Sequence, residues 1–275
     1  MHLVNANGAQ IPALGFGTFR MPGADVLRVV PKAIQLGFRH VDTAQIYGNE
    51  AEVGQAIHDS GVSRSDIFLT TKVWVDKYRH ADFIASVDES LKKLKTDYVD
   101  LLLLHWPQSD VTLAERMGNL NEVKKAGKVR NIGISNFNIE LMNEAAKFSD
   151  APIATNQVEY HPYLDQSKLI EAARKLGISI TAYYLMADGK VPQDEILKEI
   201  GARYGKTPAQ ITLRWAVQQP EIIALSKTAT EGRLMENFDV FDFALTDEEM
   251  AAIHRLAKPD GRIVNPGHLR PPHWD

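Results

Sequence analysis

Short apolar runs alternate with longer amphipathic stretches through most of this chain. Residues 13–17 precede a helical pattern near 24–35, residues 38–41 precede one near 50–60, residues 67–71 one near 80–95, and residues 98–104 one near 112–126. The rhythm continues with runs at 129–134, 153–157, 178–183 and 222–225, each leading into a further helical pattern. Such alternation requires parallel strands joined by crossover helices, and eight uninterrupted units predict a closed (β/α)8 TIM barrel rather than an open sheet. Ahead of the first unit, two short apolar segments flank the turn-forming Asn5-Ala6-Asn7-Gly8, which predicts an N-terminal β-hairpin that plugs or edges the barrel. The last stretch, 262–275, carries Pro266, Gly267, Pro271 and Pro272 and is predicted to be an irregular loop over the barrel mouth.

Composition narrows this picture. A chain of 275 residues, 44% of them hydrophobic, suits one α/β barrel domain over 1–275, since such barrels take about 250 residues. A formal net charge of −4 gives no global attraction for nucleic acid or an anionic membrane. There is no cysteine, so disulfides, thiolate catalysis and cysteine-ligated metal sites are excluded. The N-terminal residues lack a signal-peptide pattern and no run of about 18 apolar residues occurs, which points to a cytoplasmic protein. No sustained heptad calls for a partner, so a monomer is expected.

The candidate chemistry lies where the early apolar runs stop. Asp42 and Tyr47 follow the second run, Lys72 closes the third and His105 closes the fourth, and a barrel gathers its strand C-termini into one active face. A tyrosine with a pKa of about 10 parts poorly with its proton, but a neighbouring ammonium favours the phenolate. Lys72 could supply that ammonium, lowering the Tyr47 pKa, with Asp42 keeping Lys72 charged and His105 donating a hydrogen bond to the reacting oxygen. No nucleophile stands beside a base and no carboxylate pair or metal cluster is evident, so the set suits protonation of a carbonyl oxygen better than hydrolysis.

The segment Gly37-Phe38-Arg39-His40-Val41-Asp42-Thr43-Ala44 with Tyr47-Gly48-Asn49-Glu50 resembles the first signature of the aldo-keto reductase family. Lys72, Leu103-Leu104-His105-Trp106-Pro107 and Ile132-Gly133-Ile134-Ser135-Asn136-Phe137 are similar to its later blocks, most of all in prokaryotic, 2,5-diketo-gluconate-reductase-like members. The resemblance implies a barrel enzyme that reduces aldehydes or ketones by hydride transfer, with Tyr47, Lys72, Asp42 and His105 as the catalytic tetrad. It also implies a nicotinamide cofactor. Thr18, Asp42, Ser135, Asn136 and Gln157 would meet the nicotinamide half, Tyr183 would stack on its ring, and Lys227, Thr228, Arg233, Glu236 and Asn237 would hold the adenosine end. Lys227 and Arg233 together suit a 2′-phosphate, which favours NADPH. Phe19, Trp74, Trp106 and Trp274, with Tyr47 and His105, are the candidate substrate contacts.

Two stretches depart from the family pattern. Tyr184-Leu185-Met186-Ala187-Asp188-Gly189 stands where serine, proline and leucine are common, bringing a bulky phenol and an acid towards phosphates; Ala224-Leu225-Ser226-Lys227-Thr228 lacks the usual proline before the lysine. Weaker cofactor binding is the expectation, and a nicotinamide-binding regulatory protein with little turnover is the competing one. The connections after His105 and Asp188 are short, which suggests an open mouth and varied small-molecule carbonyl substrates. The glycine-rich segment from Gly201 to Thr207 has three residues between its glycines where a phosphate-binding P-loop has four, and reads as a helix end followed by the next helix's cap.

Overall fold

In the computed structural model, which describes residues 2–269 and 271–275, β1 (Leu3–Ala6) and β2 (Ala9–Pro12) pair antiparallel with Ala6 opposite Ala9. Asn7 and Gly8 make the two-residue turn, with φ of 48° and 89°, the left-handed geometry that matches strand twist. The Asn7 side-chain amide donates to the carbonyls of Ile153 (2.8 Å) and Leu176 (3.0 Å). Ile153 starts a barrel strand, so the hairpin is fastened at the strand N-termini, where the sequence predicts it to plug or edge the barrel.

The barrel strands are β3 (Leu14–Gly17), β4 (His40–Asp42), β5 (Phe68–Val73), β6 (Val99–Leu104), β7 (Val129–Ser135), β8 (Ile153–Glu159), β9 (Ser179–Tyr183) and β10 (Ile222–Ser226). All pair parallel, in chain order, and β10 closes on β3. Helices lie between them: α1 (Gly23–Leu36), α2 (Glu50–Asp59), α3 (His80–Leu94), α4 (Leu113–Lys125), α5 (Ile139–Phe148) and α6 (Ser167–Lys175). The crossover from β9 to β10 carries two helices, α7 (Glu195–Tyr204) and α8 (Pro208–Gln218), and β10 is followed by α9 (Gly232–Phe238) and α10 (Asp247–His254). This is the eight-stranded barrel the sequence pattern predicts. Every residue of β6, β8 and β10 is buried, because side chains alternate between the barrel interior and the helix layer and both are dry.

Two details differ from the sequence reading. The second barrel strand is only three residues long and starts at His40, two residues beyond the expected start, so that Asp42 is its last member. At β7 the register to β8 shifts between Ile132 and Ile134. Gly133 permits this: a Cβ there would lie 2.5 Å from a Leu103 methyl and 2.8 Å from the Thr155 carbonyl oxygen. The P-loop lookalike is a helix junction, as predicted. Gly205 ends α7 in left-handed conformation and Thr207 caps α8 in a reciprocal capping box with Gln210. Among the described residues no helix is long and apolar enough to cross a membrane.

Candidate active site

Asp42, at the end of β4, and Lys72, near the end of β5, face one another inside the barrel. Lys72 Nζ donates to Asp42 Oδ1 at 2.6 Å, to the Thr43 carbonyl at 2.8 Å and to the Tyr47 phenol oxygen at 3.3 Å. An ammonium has three protons, so these contacts saturate it, and the side chain is fully buried. Because Lys72 donates to the phenol oxygen, the tyrosine's own proton must point elsewhere. The Asp42 Oδ2 atom accepts from the Gln157 amide at 2.8 Å. The carboxylate therefore meets the cost of its burial through one ion pair and one amide.

A short 3₁₀ turn, Gln45–Tyr47, delivers the phenol, and Gly48 closes the turn at φ 70°. Its support comes from residues the sequence reading passed over. Gln45 donates to the Ser86 carbonyl and the Ser90 hydroxyl and accepts from the Trp74 amide, while Asn49 donates to the carbonyls of Thr18 and Met21 and accepts from the Thr43 hydroxyl. Glu50, buried at the start of α2, accepts from Thr71 (2.6 Å), the neighbour of Lys72. Gln45, Asn49 and Glu50 belong to the same motif as Tyr47, and polar types at buried positions were the available signal. The Thr18 hydroxyl and amide both donate to the Asp42 carbonyl, fixing that strand end.

His105 packs edge-on to the rings of Tyr47 (5.7 Å between centroids) and Trp74 (5.1 Å), and Phe19 lies 5.0 Å from Tyr47. All four tetrad candidates are thus in one cluster, with Phe19 and Trp74 on its rim. Trp106 is buried and meets Trp274 of the tail at 6.5 Å. Ile46, half exposed beside Tyr47, is a further apolar residue at this rim that the sequence reading missed.

The electrostatics correct one expectation. Burial, followed by the Asp42 charge, pushes the Tyr47 pKa well above its ordinary value instead of lowering it. The reason is that the Lys72 charge is largely neutralised by Asp42, while desolvation of a phenolate is not. Burial also lowers the Lys72 pKa, against the pull of Asp42. It holds His105 well below the usual histidine value, with Lys72 adding to the effect, so the imidazole is neutral. Its Nδ1 atom is buried without a partner.

The candidate cofactor residues fall into two groups. Ser135, Asn136, Gln157 and Tyr183 are stitched together across β7, β8 and β9: the Ser135 hydroxyl donates to the Gln157 carbonyl (2.8 Å), Asn136 Nδ2 to the His105 carbonyl (3.0 Å), and the Tyr183 hydroxyl to Asn136 Oδ1 (2.6 Å). Beyond β10, Lys227 and Arg233 are exposed. The nearby carboxylates are engaged elsewhere, Glu231 with Arg28 and Lys32 and Glu236 with the Thr207 hydroxyl. Thr228 bonds within its own turn, and Asn237 is buried in α9. The Ser226 hydroxyl, just ahead of Lys227, is buried and unpartnered. Among the described residues these cations have no carboxylate partner, and beside an orphaned hydroxyl that suits a phosphorylated ligand. In the divergent loop, Tyr184 donates its hydroxyl to Asp188 (2.7 Å), so the two unusual residues bond to each other, and Tyr184, Ala187 and Asp188 all hold positive φ.

Residues 13–258 match the family model described as aldo/keto reductase. The chain is 46% identical over 268 residues to a methylglyoxal reductase of Salmonella typhimurium, covering 96% of this chain and 99% of that one. It is 37% identical over 264 residues to the glyoxal reductase of Bacillus subtilis, covering 96% and 95%. Among solved structures, a crystal structure provisionally described as a 2,5-diketo-D-gluconic acid reductase B superposes with a TM-score of 0.99 at 72% identity, covering 100% of this chain and 98% of that one. An aldo-keto reductase of Bombyx mori in complex with NADP superposes with a TM-score of 0.92 at 31% identity, covering 98% and 96%.

Proposed function

The chain belongs to the aldo-keto reductase family, and we propose that it reduces aldehydes and ketones to alcohols with NADPH, Tyr47 delivering the proton. The observation that carries this reading is the triple donation by Lys72 to Asp42, the Thr43 carbonyl and the Tyr47 oxygen. That arrangement fixes the phenol and turns its proton away from the lysine, while burial and the Asp42 charge keep the proton on the oxygen at neutral pH. A neutral phenol is an acid that transfers only when a stronger base develops, as a carbonyl oxygen becomes an alkoxide; the Lys72 ammonium then stabilises the tyrosinate left behind. His105, neutral and with Nδ1 in a dry position, keeps Nε2 to donate to the same oxygen and orient the carbonyl.

NADPH, when bound, supplies the hydride. Ser135, Asn136 and Gln157 would hold its carboxamide and Tyr183 its ring, with Thr18 and Asp42 also binding the nicotinamide half; Lys227 and Arg233 would hold its 2′-phosphate, and Thr228, Glu236 and Asn237 the adenosine end. Phe19, Trp74, Trp106 and Trp274 exclude water around the carbonyl, which strengthens the hydrogen bonds to it. Since named relatives reduce methylglyoxal and glyoxal, small dicarbonyls head the substrate panel.

The test is oxidation of NADPH, followed by its near-ultraviolet absorbance, with a panel of small and aromatic aldehydes, run beside Tyr47→Phe. A fall in kcat of about 10²–10⁴ with NADPH binding unchanged is expected. Turnover that survives the substitution overturns the acid assignment. NADPH binding without turnover of any carbonyl favours a regulatory nicotinamide-binding protein.

A further inference from the structure

Glu159, the last residue of β8, is a fully buried carboxylate that the reduction chemistry leaves unused. Its donors come mainly from the tail. Oε1 accepts from the Ile263 amide (2.7 Å) and from His161 Nε2 (2.9 Å); Oε2 accepts from the Val264 amide (2.9 Å) and lies 3.6 Å from the Arg262 guanidinium. Charge-assisted bonds from two consecutive amides make a strong grip on a segment that has no regular structure of its own.

The chain just before this grip is held too. The Lys258 amide donates to the Tyr163 carbonyl (3.1 Å), and at Gly261 the backbone passes so close that a Cβ would lie 1.8 Å from that same oxygen. Arg262 then lies over the Trp274 ring at 3.7 Å, and Trp274 meets Trp106. The far end of the tail is fastened at the start of α5, where Asn138 donates to the His273 carbonyl (3.0 Å) and the Ile139 amide donates to the Asp275 side chain (2.9 Å).

Gln157 and Glu159 share a strand and, two residues apart, the same face. Gln157 holds Asp42 while Glu159 holds the tail, so one strand end orders the tetrad and the mouth together.

We propose that Glu159 is a positioning residue for substrate: by gripping the 262–264 segment it seats Trp274 against Trp106 and so sets how tightly bulky carbonyl substrates are held. The choice of substrate rests on the carbonyl-reductase reading; the docking of the tail does not.

The experiment uses the full chain with NADPH and compares wild type with Glu159→Gln in two assays. In the first, trypsin is added and the peptide released by cleavage after Arg262 is followed by mass spectrometry. That side chain is stacked and mostly covered in the seated tail, so release should be about tenfold faster in the variant, as local opening governs cleavage. In the second, KM for an aromatic aldehyde should rise about five- to tenfold while kcat, and KM for a two- or three-carbon aldehyde, stay within about twofold. Trp274→Ala removes the stack over Arg262 but leaves both amide bonds to Glu159, so it should reproduce the KM rise with a smaller gain in trypsin release than Glu159→Gln. If Glu159→Gln does not fold, Val264→Pro removes one amide donor without touching the carboxylate and should give the same two changes.

Unchanged trypsin release overturns the proposal, whatever the kinetics. So does a kcat loss for small and bulky substrates alike, which would place Glu159 in the chemistry or in general stability. A wild type that reduces no carbonyl defeats the functional reading, and the trypsin assay still decides on the tail.

Discussion

Two carboxylates, Asp42 and Asp100, lie almost wholly buried at opposite ends of the barrel, and their partners could hardly differ more. At the mouth, Asp42 is paired with a lysine that has no exposure at all and whose remaining protons go to a carbonyl and a phenol. At the base, Asp100 near the start of β6 accepts from the Leu69 amide (3.0 Å) and Arg130 (3.1 Å) and forms an ion pair with Arg64 (2.9 Å), and both arginines stack on Tyr98 at 4.4 and 3.8 Å. Guanidinium groups stay charged at any pH the protein meets and remain hydrated at one edge, so the lower cluster serves to join β5, β6 and β7. A wholly dry lysine has its pKa lowered, and the phenol beside it has its own raised by burial and by the Asp42 charge. Similar charges thus give cohesion where water reaches them and reactivity where it does not.

The sharpest break in this comparison is Lys72→Met. Asp42 is then left buried with only Gln157, and we expect a stability loss of about 3–5 kcal/mol in denaturant unfolding, with turnover down about 10³-fold. Adding Asp42→Asn should restore much of the stability and none of the turnover. If the single variant is as stable as wild type, the upper pair is not the uncompensated charge described here.

His40 sits between the two clusters, two residues below Asp42 on the same face of β4, bonded through Nε2 to Thr70 (3.0 Å). Burial lowers its pKa from 6.5 to about 4, against the pull of Asp42. The unfolded chain therefore binds more protons than the folded one between those values, so stability is complete above pH 6.5 and is lost as pH falls towards about 4. The loss from this residue should approach about 3 kcal/mol. Unfolding curves of His40→Gln should be flatter than wild type by that amount over the same range; parallel pH profiles would show that His40 is not the group responsible.

Asp100→Asn is the matching change at the base. Because Arg130 is half exposed, the charges it frees can turn to water, and a loss of only about 1–2 kcal/mol is expected. Turnover should stay within about twofold of wild type. Loss of turnover in a variant of normal stability would mean that the two ends are coupled, and the division between cohesion and reactivity would fail.

The same division explains what could be read in the sequence. The eight strands were legible because each is a short apolar run, and Asp42, Lys72 and His105 because each breaks such a run at one end. Tyr47 was legible from its chemistry beside Asp42 although it lies on a turn five residues past its strand, and the family motif reinforced it. The direction of its pKa was not legible: pairing of Lys72 with Asp42 and dryness of the site are properties of the assembled barrel. Nor was the Asp100 cluster, whose arginines come from a short turn before β5 and from β7, or the grip of Glu159 on a tail some 100 residues away. Positions that meet only across long sequence separations leave no local pattern.

The smallest expected effect concerns Asp188, a third carboxylate, which among the described residues is partnered by neither lysine nor arginine but by the Tyr184 hydroxyl in its own loop. A phenol spreads the negative charge and does not cancel it, so Asp188 should still repel the phosphates of NADPH if they pass near this loop. Asp188→Asn is then expected to tighten NADPH about two- to fivefold in fluorescence titration at low salt, and the gain should shrink as salt screens the exposed charge. Replacing Tyr184 by Phe should shift affinity the other way, since the carboxylate loses its only bond in the loop. Equal affinities across all three proteins would show that the loop stands clear of the phosphates, and its departure from the family pattern would then be a matter of backbone packing alone.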